Sequence, residues 1–431
     1  MITAAEIKIW NKPVGAIAWD STSEIGSFEF YPEFEQHNWN LAPIKMPIKN
    51  SAGKVFSFPE LRGTSTFKGL PGLVADLLPD KYGNALINTW LTRQGRPTNS
   101  LNSVELLCFI GIRGMGAIEV EPAFPKSAAK STNIEIDSLI NVANKILSAR
   151  NNFSTNVAGN EEKALIDILK VGTSAGGARA KAVIAYNTKT GEVRSGQTKV
   201  PKGFSHWLIK FDGVRDSQFG SSSGYGRVEM AYHKMAVDAG IEMTECRLLE
   251  ENNRAHFMTR RFDRTPDNDK IHLQSFCAMQ HYDFNEVNFY SYEQLFETMR
   301  ILLLPYPQAD QLYRRMVFNV MAKNCDDHTK NFAFMMDKSS KWSLSPAFDV
   351  CHAYRPGSEW VSQHALSVNG KRKNITKDDL LEVAIQMNIK KPKIIIEQIF
   401  DVVSNWKEYA KDFDVESKLK NAIWKTFELK Y

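Results

Sequence analysis

Residues 324–334, NCDDHTKNFAF, crowd two aspartates, a histidine, a lysine and an asparagine into one turn ahead of an apolar run. The stretch sits between segments of different period. Upstream, DQLYRRMVFNVMAKN (310–324) places Leu312, Met316 and Val320 at four-residue spacing, the stripe of a core-facing helix. Downstream, NFAFMM and WSLSPAFDV read as two strands joined by the turn DKSSK. The helix delivers Asp326 into a loop, and the hairpin returns its far end, Asp349, toward Asn331. An acid, an amide and a second acid then share one small site.

Asn331 follows Asp326 at the interval that separates aspartate and asparagine in the H-R-D loop of protein kinases. In that chemistry the aspartate accepts the substrate hydroxyl proton, while the asparagine and a later aspartate hold magnesium. Carboxylate and amide oxygens suit the hard Mg²⁺ ion. Two other readings of the loop stand beside this one. Asp326 and Asp327 serve as turn and capping acids with His328 a satisfied core histidine, or Cys325, Asp327, His328, Cys351 and His352 form a transition-metal site. The second lacks regular ligand spacing, and its neighbouring residues would point apart on a strand.

Two earlier stretches extend the comparison. VGTSAGGARAKAVIAY (171–186) has Gly172, Gly176 and Gly177, which permit tight turns and close approach of backbone N–H groups to phosphate, with Arg179 and Lys181 beside them. It lacks the GK[ST] ending of a Walker A loop, and an ordinary hairpin turn accounts for it equally well. HWLIKFD places Lys210 at the end of an apolar strand, where it holds a phosphate or is a solvated charge; Glu229, on the next helix, is its pairing candidate. A glycine-rich loop, a strand lysine and an acid–amide–acid set occur in the order of parts in a kinase.

The chain has 431 residues, 43% hydrophobic and 24% charged, which suits a soluble globular protein of two or three domains. A net charge of +5 permits an anionic ligand and requires none. No apolar run approaches the ~20 residues that span a bilayer, so no membrane role is expected. The opening MITAAEIKIWNKPVG has no leader pattern. The cysteines at 108, 246, 277, 325 and 351 form no CxxC pair, which fits a reducing cytoplasm.

Along the chain, EIKIWNKPVGAIAWD reads as a hairpin broken at Asn-Lys-Pro, GLVADLLPDKYGNALINTWLTRQ as helix broken at Pro79, and SVELLCFIGIRGMGAIEVEP as helix, glycine turn and strand. A boundary falls near KSAAKSTNIEIDS. EEKALIDILKVG reads as a short helix, ARAKAVIAYNTKTGEVRSG as a strand pair, GRVEMAYHKMAVDAG as a helix closed by Gly240, and HFMTRRFDR as a strand. After about residue 264 the chain reads as helical apart from 331–350. This gives a β-rich subdomain at 1–125, a lobe with the glycine-rich loop at 155–262 and a helical lobe at 263–431.

With these pieces in place the chain resembles the HipA-type serine/threonine kinases, the toxin halves of bacterial toxin–antitoxin pairs. The resemblance runs over nearly the whole length: GAIAWD, FEFYPEF and LLPDKYGN in the N-terminal part, TSAGGARAKAV for the glycine-rich loop, HWLIKF for the strand lysine, RRFDR between lobes, IHLQSFCAM opening the helical lobe, then NCDDHTKNFAF and SPAFDV. It implies an α+β, two-lobed protein-kinase-like fold with an extra N-terminal β-rich subdomain and a helical C-terminal lobe.

The resemblance implies ATP and Mg²⁺ as cofactors and assigns roles. Asp326 is the catalytic base, and Asn331 and Asp349 bind Mg²⁺. Lys210 contacts the ATP phosphates, and His328, Thr329, Lys330 and Phe348 line their site. Gly176, Gly177, Ala178, Arg179, Ala180 and Lys181 cover the nucleotide, and Arg260, Arg261 and Phe262 form the adenine hinge. Ser174 is the autophosphorylation site that switches the kinase off.

The implied partners are a HipB-like helix-turn-helix antitoxin, operator DNA bound through it, and a protein substrate in translation such as an aminoacyl-tRNA synthetase. Lys371, Arg372 and Lys373 offer a candidate DNA-backbone contact, with a solvated basic turn the alternative. Arg260 stands where some members carry an acid, and Asp327 where small residues occur; a second carboxylate beside Asp326 tends to raise its pKa. A non-catalytic corepressor scaffold and a metal-dependent phosphohydrolase are the alternative functions.

Overall fold

A computed structural model describes residues 2–123, 134–148, 167–169, 171–172, 179–196, 200–216, 220–221, 223–427 and 429. The chain divides into two compact units: Met1–Ala42, Met46–Gly226 and Arg247–Leu273 form one, and Pro43–Lys45, Arg227–Cys246 and Gln274–Tyr431 the other.

Among the described residues the first unit holds two five-stranded sheets and a two-stranded ribbon, Arg215–Asp216 with Gly220–Ser221. In one sheet, β1 (Ala4–Ile9), β2 (Lys12–Asp20), β3 (Ile25–Phe30), β4 (Val55–Phe56) and β5 (Ile118–Glu121) lie in the order β4-β3-β2-β1-β5. Alternation buries Ala5, Ile7 and Ile9 on β1 and Phe28 and Phe30 on β3. The β1–β2 turn falls on Trp10 and Asn11, both left-handed at φ 49 and 62. The sequence drew the break toward Pro13. That proline instead pairs with Lys8 beside a bulge, a position where a strand tolerates a missing N–H. Helices α1 (Lys81–Arg93) and α2 (Ser103–Ile110) follow, α2 closed at its start by a capping box between Asn102 and Glu105.

The second sheet contains β6 (Lys181–Tyr186), β7 (Val193–Ser195), β8 (Ser205–Lys210), β9 (Cys246–Glu251) and β10 (Arg254–Arg260) in the order β9-β10-β8-β6-β7. A buried charge cluster ties the segment after β10 to the segment before β5. Asp263 Oδ2 accepts from Arg261 at 2.6 Å, Arg264 at 2.9 Å and the Gly116 N–H at 2.6 Å. Lys270 Nζ lies 2.7 Å from Glu119 and donates to Ile112 O at 2.8 Å. These bonds join residues 112–119 to residues 261–270 within the first unit. Most of the short helix expected at EEKALIDILKVG lies outside the described residues.

In the second unit, α3 (Tyr225–Asp238, entered from Arg227 onward), α4 (Tyr292–Ile301) and α5 (Tyr306–Met321) surround one apolar core with α6 (Lys377–Gln386), α7 (Pro392–Ser404), α8 (Trp406–Asp412) and α9 (Ser417–Trp424). Leu312, Met316 and Val320 face that core from α5, as their spacing predicts. The hairpin expected after the loop is present: β11 (Ala333–Met336) pairs with β12 (Trp342–Leu344), Phe334 opposite Leu344. Gly240 closes α3 in the left-handed region, φ 76, with the Ile241 N–H returning to Ala236 O.

Leu303, after α4, occupies the same kind of position without being glycine. Its φ is 56 and the residue is 88% exposed. A left-handed conformation costs an L-residue roughly 1–2 kcal/mol, and no burial offsets that here. Leu303→Gly is expected to raise stability by about 1 kcal/mol, read as an increase in the urea midpoint; an unchanged or lower midpoint contradicts it.

Candidate active site

Helix α5 ends where Lys323 turns left-handed, φ 52. The Asn324 N–H bonds Asn319 O, and its side chain donates to Asn319 Oδ1, both at 3.0 Å. Cys325 N donates to Ala353 O and Ala353 N to Lys323 O, each at 3.0 Å. The loop is therefore stitched to the segment that follows the hairpin.

Consecutive residues then face opposite ways. The Asp326 side chain is 47% exposed and that of Asp327 is 0% exposed. Asn331, at the end of a short 3-10 turn, donates its Nδ2 to Asp326 O at 2.7 Å. That bond uses the amide nitrogen and leaves the amide oxygen as the group suited to a cation. Asn331 lines one cleft with Phe348, Asp349 and Asn319. Asp349 is left-handed, φ 55, a region aspartate enters more readily than most residues. The hairpin thus returns Asp349 to Asn331, as expected, while Asp326 is joined to the set through its backbone oxygen.

A carboxylate and an amide oxygen on one cleft, with room for water and phosphate oxygens, fit Mg²⁺. They do not fit a softer ion. Among the described residues no group of three His, Cys, Asp or Glu side chains could hold a metal. Cys325 and Asp327 both face His364, and His352 Nε2 lies 3.0 Å from Thr426 Oγ1. The transition-metal alternative fails for that reason.

Arg315 is buried in the wall of the same cleft and donates to Ser345 O at 2.6 Å. Burial lowers its pKa to about 10. His328 Nε2 lies 3.8 Å from Asp326 Oδ1, and its ring is 5.1 Å from that of Phe284. Lys330 Nζ sits 4.9 Å above the Phe284 ring. Thr329 is buried and donates to Tyr282 O at 2.9 Å, so it supports the loop.

Asp327 points into the protein. Its Oδ2 accepts from the Tyr292 hydroxyl at 2.7 Å and lies 2.9 Å from His364 Nδ1, and its Oδ1 accepts from the Ala365 N–H at 2.8 Å. Burial disfavours charge on His364, but Asp327 and Cys325 outweigh it and raise its pKa to about 10. The carboxylate beside Asp326 is therefore met by a cation. Nothing in the sequence linked these residues, because His364 lies 37 positions on in a mixed stretch, EWVSQHALSV.

The pair has a consequence for stability. An unfolded histidine titrates near 6.5. The raised folded value means that the native state binds the extra proton between about 6.5 and 10. This contribution is complete below pH 6.5 and is lost as pH rises through about 10. The urea midpoint is expected to fall from pH 7 to pH 10, with a flatter profile in His364→Gln; equal slopes contradict it.

In the first unit, Lys181 and Lys210 stand directly opposite each other on β6 and β8. Lys181 is buried, and Lys210 Nζ lies 5.8 Å from the Phe257 ring centre. Cross-strand neighbours share a face, so the strands juxtapose two cations suited to a polyanion. Ala180 O accepts from Phe211 N at 3.1 Å, and Arg179 stacks 4.5 Å over Tyr225. Ser174, Gly176, Gly177 and Ala178 lie outside the described residues. Glu229 is buried on α3, in the second unit.

At the expected hinge, Arg261 is committed twice. Its N–H donates to His206 O at 2.9 Å, and its guanidinium is paired with Asp263. Arg260 and Phe262 are half-buried. Of the basic turn, Lys371 lies 2.8 Å from Asp379, and Arg372 donates to Ala365 O and Tyr290 O; Lys373 is exposed. Two of the three thus have structural partners.

A family model of the HipA N-terminal domain matches residues 5–121, and one of the HipA-like C-terminal domain matches residues 173–407. A Sinorhizobium fredii protein, Y4dM, whose name assigns it provisionally to the kinases, is 24% identical over 239 residues. The match covers 50% of this chain and 55% of that protein, so the chain spans about half the length of this curated relative. Among solved structures, the Shewanella oneidensis MR-1 toxin–antitoxin complex of HipA, HipB and operator DNA matches with a TM-score of 0.66 at 15% identity, covering 97% of this chain and 93% of that one. At that identity the likeness is one of fold. It bears out the α+β, kinase-like architecture, sheet-rich in the N-terminal part and helical in the C-terminal part. No helix among the described residues is long and apolar enough to cross a membrane.

Proposed function

The chain belongs to the HipA family, and from that premise we propose that it is an ATP- and Mg²⁺-dependent protein serine/threonine kinase, the toxin half of a toxin–antitoxin pair. The observation that carries this reading is the Asn331 bond to Asp326 O in a cleft shared with Asp349.

In this reading Asp326 orients the acceptor hydroxyl and takes its proton. Asn331 and Asp349 would hold Mg²⁺, which would supply neutralisation of phosphate charge. Lys181 and Lys210 hold phosphate oxygens as point charges. His328, Lys330 and Phe348 line the phosphate site, and backbone groups of Arg260 and Phe262 meet the adenine. Ser174 accepts phosphate from the enzyme itself and turns it off. The natural acceptor is a protein of the translation apparatus, an aminoacyl-tRNA synthetase being the leading candidate. A HipB-like antitoxin and operator DNA are proposed as partners from the S. oneidensis complex, and the cytoplasm as the place of action.

The test is incubation of the pure protein with Mg²⁺ and labelled ATP, followed by mass mapping. Label on Ser174 is expected. Inorganic phosphate released without any phosphoprotein, in the presence or absence of added synthetase, would overturn the reading in favour of a phosphohydrolase.

A further inference from the structure

We propose that His364 is a positioning residue for phosphoryl transfer: its ion pair with the buried Asp327 fixes the loop so that Asp326 faces outward. The proposal rests on the kinase reading for its activity readout and on geometry for the rest.

Asp326 and Asp327 share a peptide unit, so whatever immobilises one side chain limits the other. Asp327 is anchored on three sides, by Tyr292 at the start of α4, by His364 and by the Ala365 N–H. Tyr292 is itself steadied by Asn319, whose Nδ2 donates to the hydroxyl at 3.0 Å. Asn319 also receives Asn324. The network therefore encircles the loop from its first residue to its buried acid.

A fully buried carboxylate with only neutral donors is costly. His364 is the ionisable cation bonded to it. Tyr292, Cys325 and Arg372 also face the pair, and Arg315 and Asp349 line the same cleft as Asp327. Tyr292 donates its hydroxyl, Cys325 Sγ lies 3.8 Å from His364 Nε2, and Arg372 feels the Asp327 charge while its guanidinium bonds Ala365 O and Tyr290 O. The last contact gives Arg372 a part in the device. With the His364 N–H bonded to Arg372 O at 2.9 Å, it holds the segment that presents the imidazole.

The pair should respond asymmetrically. His364→Gln leaves a buried anion without a counter-charge. Asp327→Asn leaves an imidazole that can shed its proton. The double variant removes both charges. A simple packing role predicts none of this ordering.

The experiment is a double-variant cycle of His364→Gln and Asp327→Asn with two readouts: kcat against KM for ATP, and hydrogen exchange of the 324–331 amides. The expected result is a kcat at least about tenfold lower in His364→Gln with KM changed less than about twofold, a smaller loss in Asp327→Asn, and recovery in the double variant. Amide exchange should follow the same order. Additive losses in the cycle would overturn the proposal. So would a His364 imidazole that is neutral at pH 8 in the wild-type nitrogen NMR spectrum. A wild-type protein that transfers no phosphate would defeat the kinase reading instead, and the exchange and NMR results would still decide the role of the pair.

Discussion

Asp326→Asn is expected to lower phosphoryl transfer by about 10²- to 10⁴-fold, the range for loss of a positioned general base. The carboxylate is half-exposed, with His328 Nε2 3.8 Å from its Oδ1, and the bond to Asn331 is made by the backbone oxygen. Asparagine keeps the size and that backbone bond but cannot accept the proton. Stability should change by less than about 0.5 kcal/mol, and the Kd for Mg²⁺–ATP by little, since the oxygens of Asn331 and Asp349 are untouched. The measurement is single-turnover transfer from labelled ATP beside calorimetric nucleotide binding. Transfer at wild-type rate in the folded variant would sink the assignment of Asp326. Lost binding would mean that Asp326 is a ligand and not the base.

Much of this site was legible in the sequence because it is built from local elements. The four-residue stripe of α5 and the turn DKSSK are short-range features, and together they dictate that Asp349 returns to Asn331. Lys210 was legible for a similar reason, since it ends an apolar run, and Lys181 because it follows the glycine-rich stretch. What the sequence hid depends on tertiary partners. Asp327 looked like a second carboxylate that would disturb Asp326. Its counter-charge His364 comes from a segment with no spacing that marks it. Arg372 looked like part of a basic patch, but two carbonyls take its guanidinium. Arg261 looked like a hinge residue. Here a hint was available: in an extended RRFDR, residues 261 and 263 project to one side, so an arginine and an aspartate there can pair with each other.

That pair supports the second large prediction. Asp263→Ala is expected to destabilise the protein by about 3–5 kcal/mol, the cost of breaking a buried ion pair from one side. The Arg261 and Arg264 side chains are 1% and 7% exposed, so neither guanidinium can recover its hydration in place. The Gly116 N–H loses its acceptor as well. Such a loss is a large share of the ~5–15 kcal/mol that holds a typical fold together. Burial alone would raise the Asp263 pKa, but Arg261 and Arg264 outweigh it and hold the carboxyl well below the usual range. The sign follows. The stabilisation is complete above the unfolded aspartate value of about 3.9, and it is lost only as pH falls through the depressed folded value. Between pH 5 and pH 8 the difference between wild type and Asp263→Ala should therefore be constant. Urea unfolding of both at pH 5 and pH 8 measures it. A difference below about 1 kcal/mol, the size of an ordinary surface effect, would mean that the cluster relaxes to water and that the segments 112–119 and 261–270 are held together by packing alone.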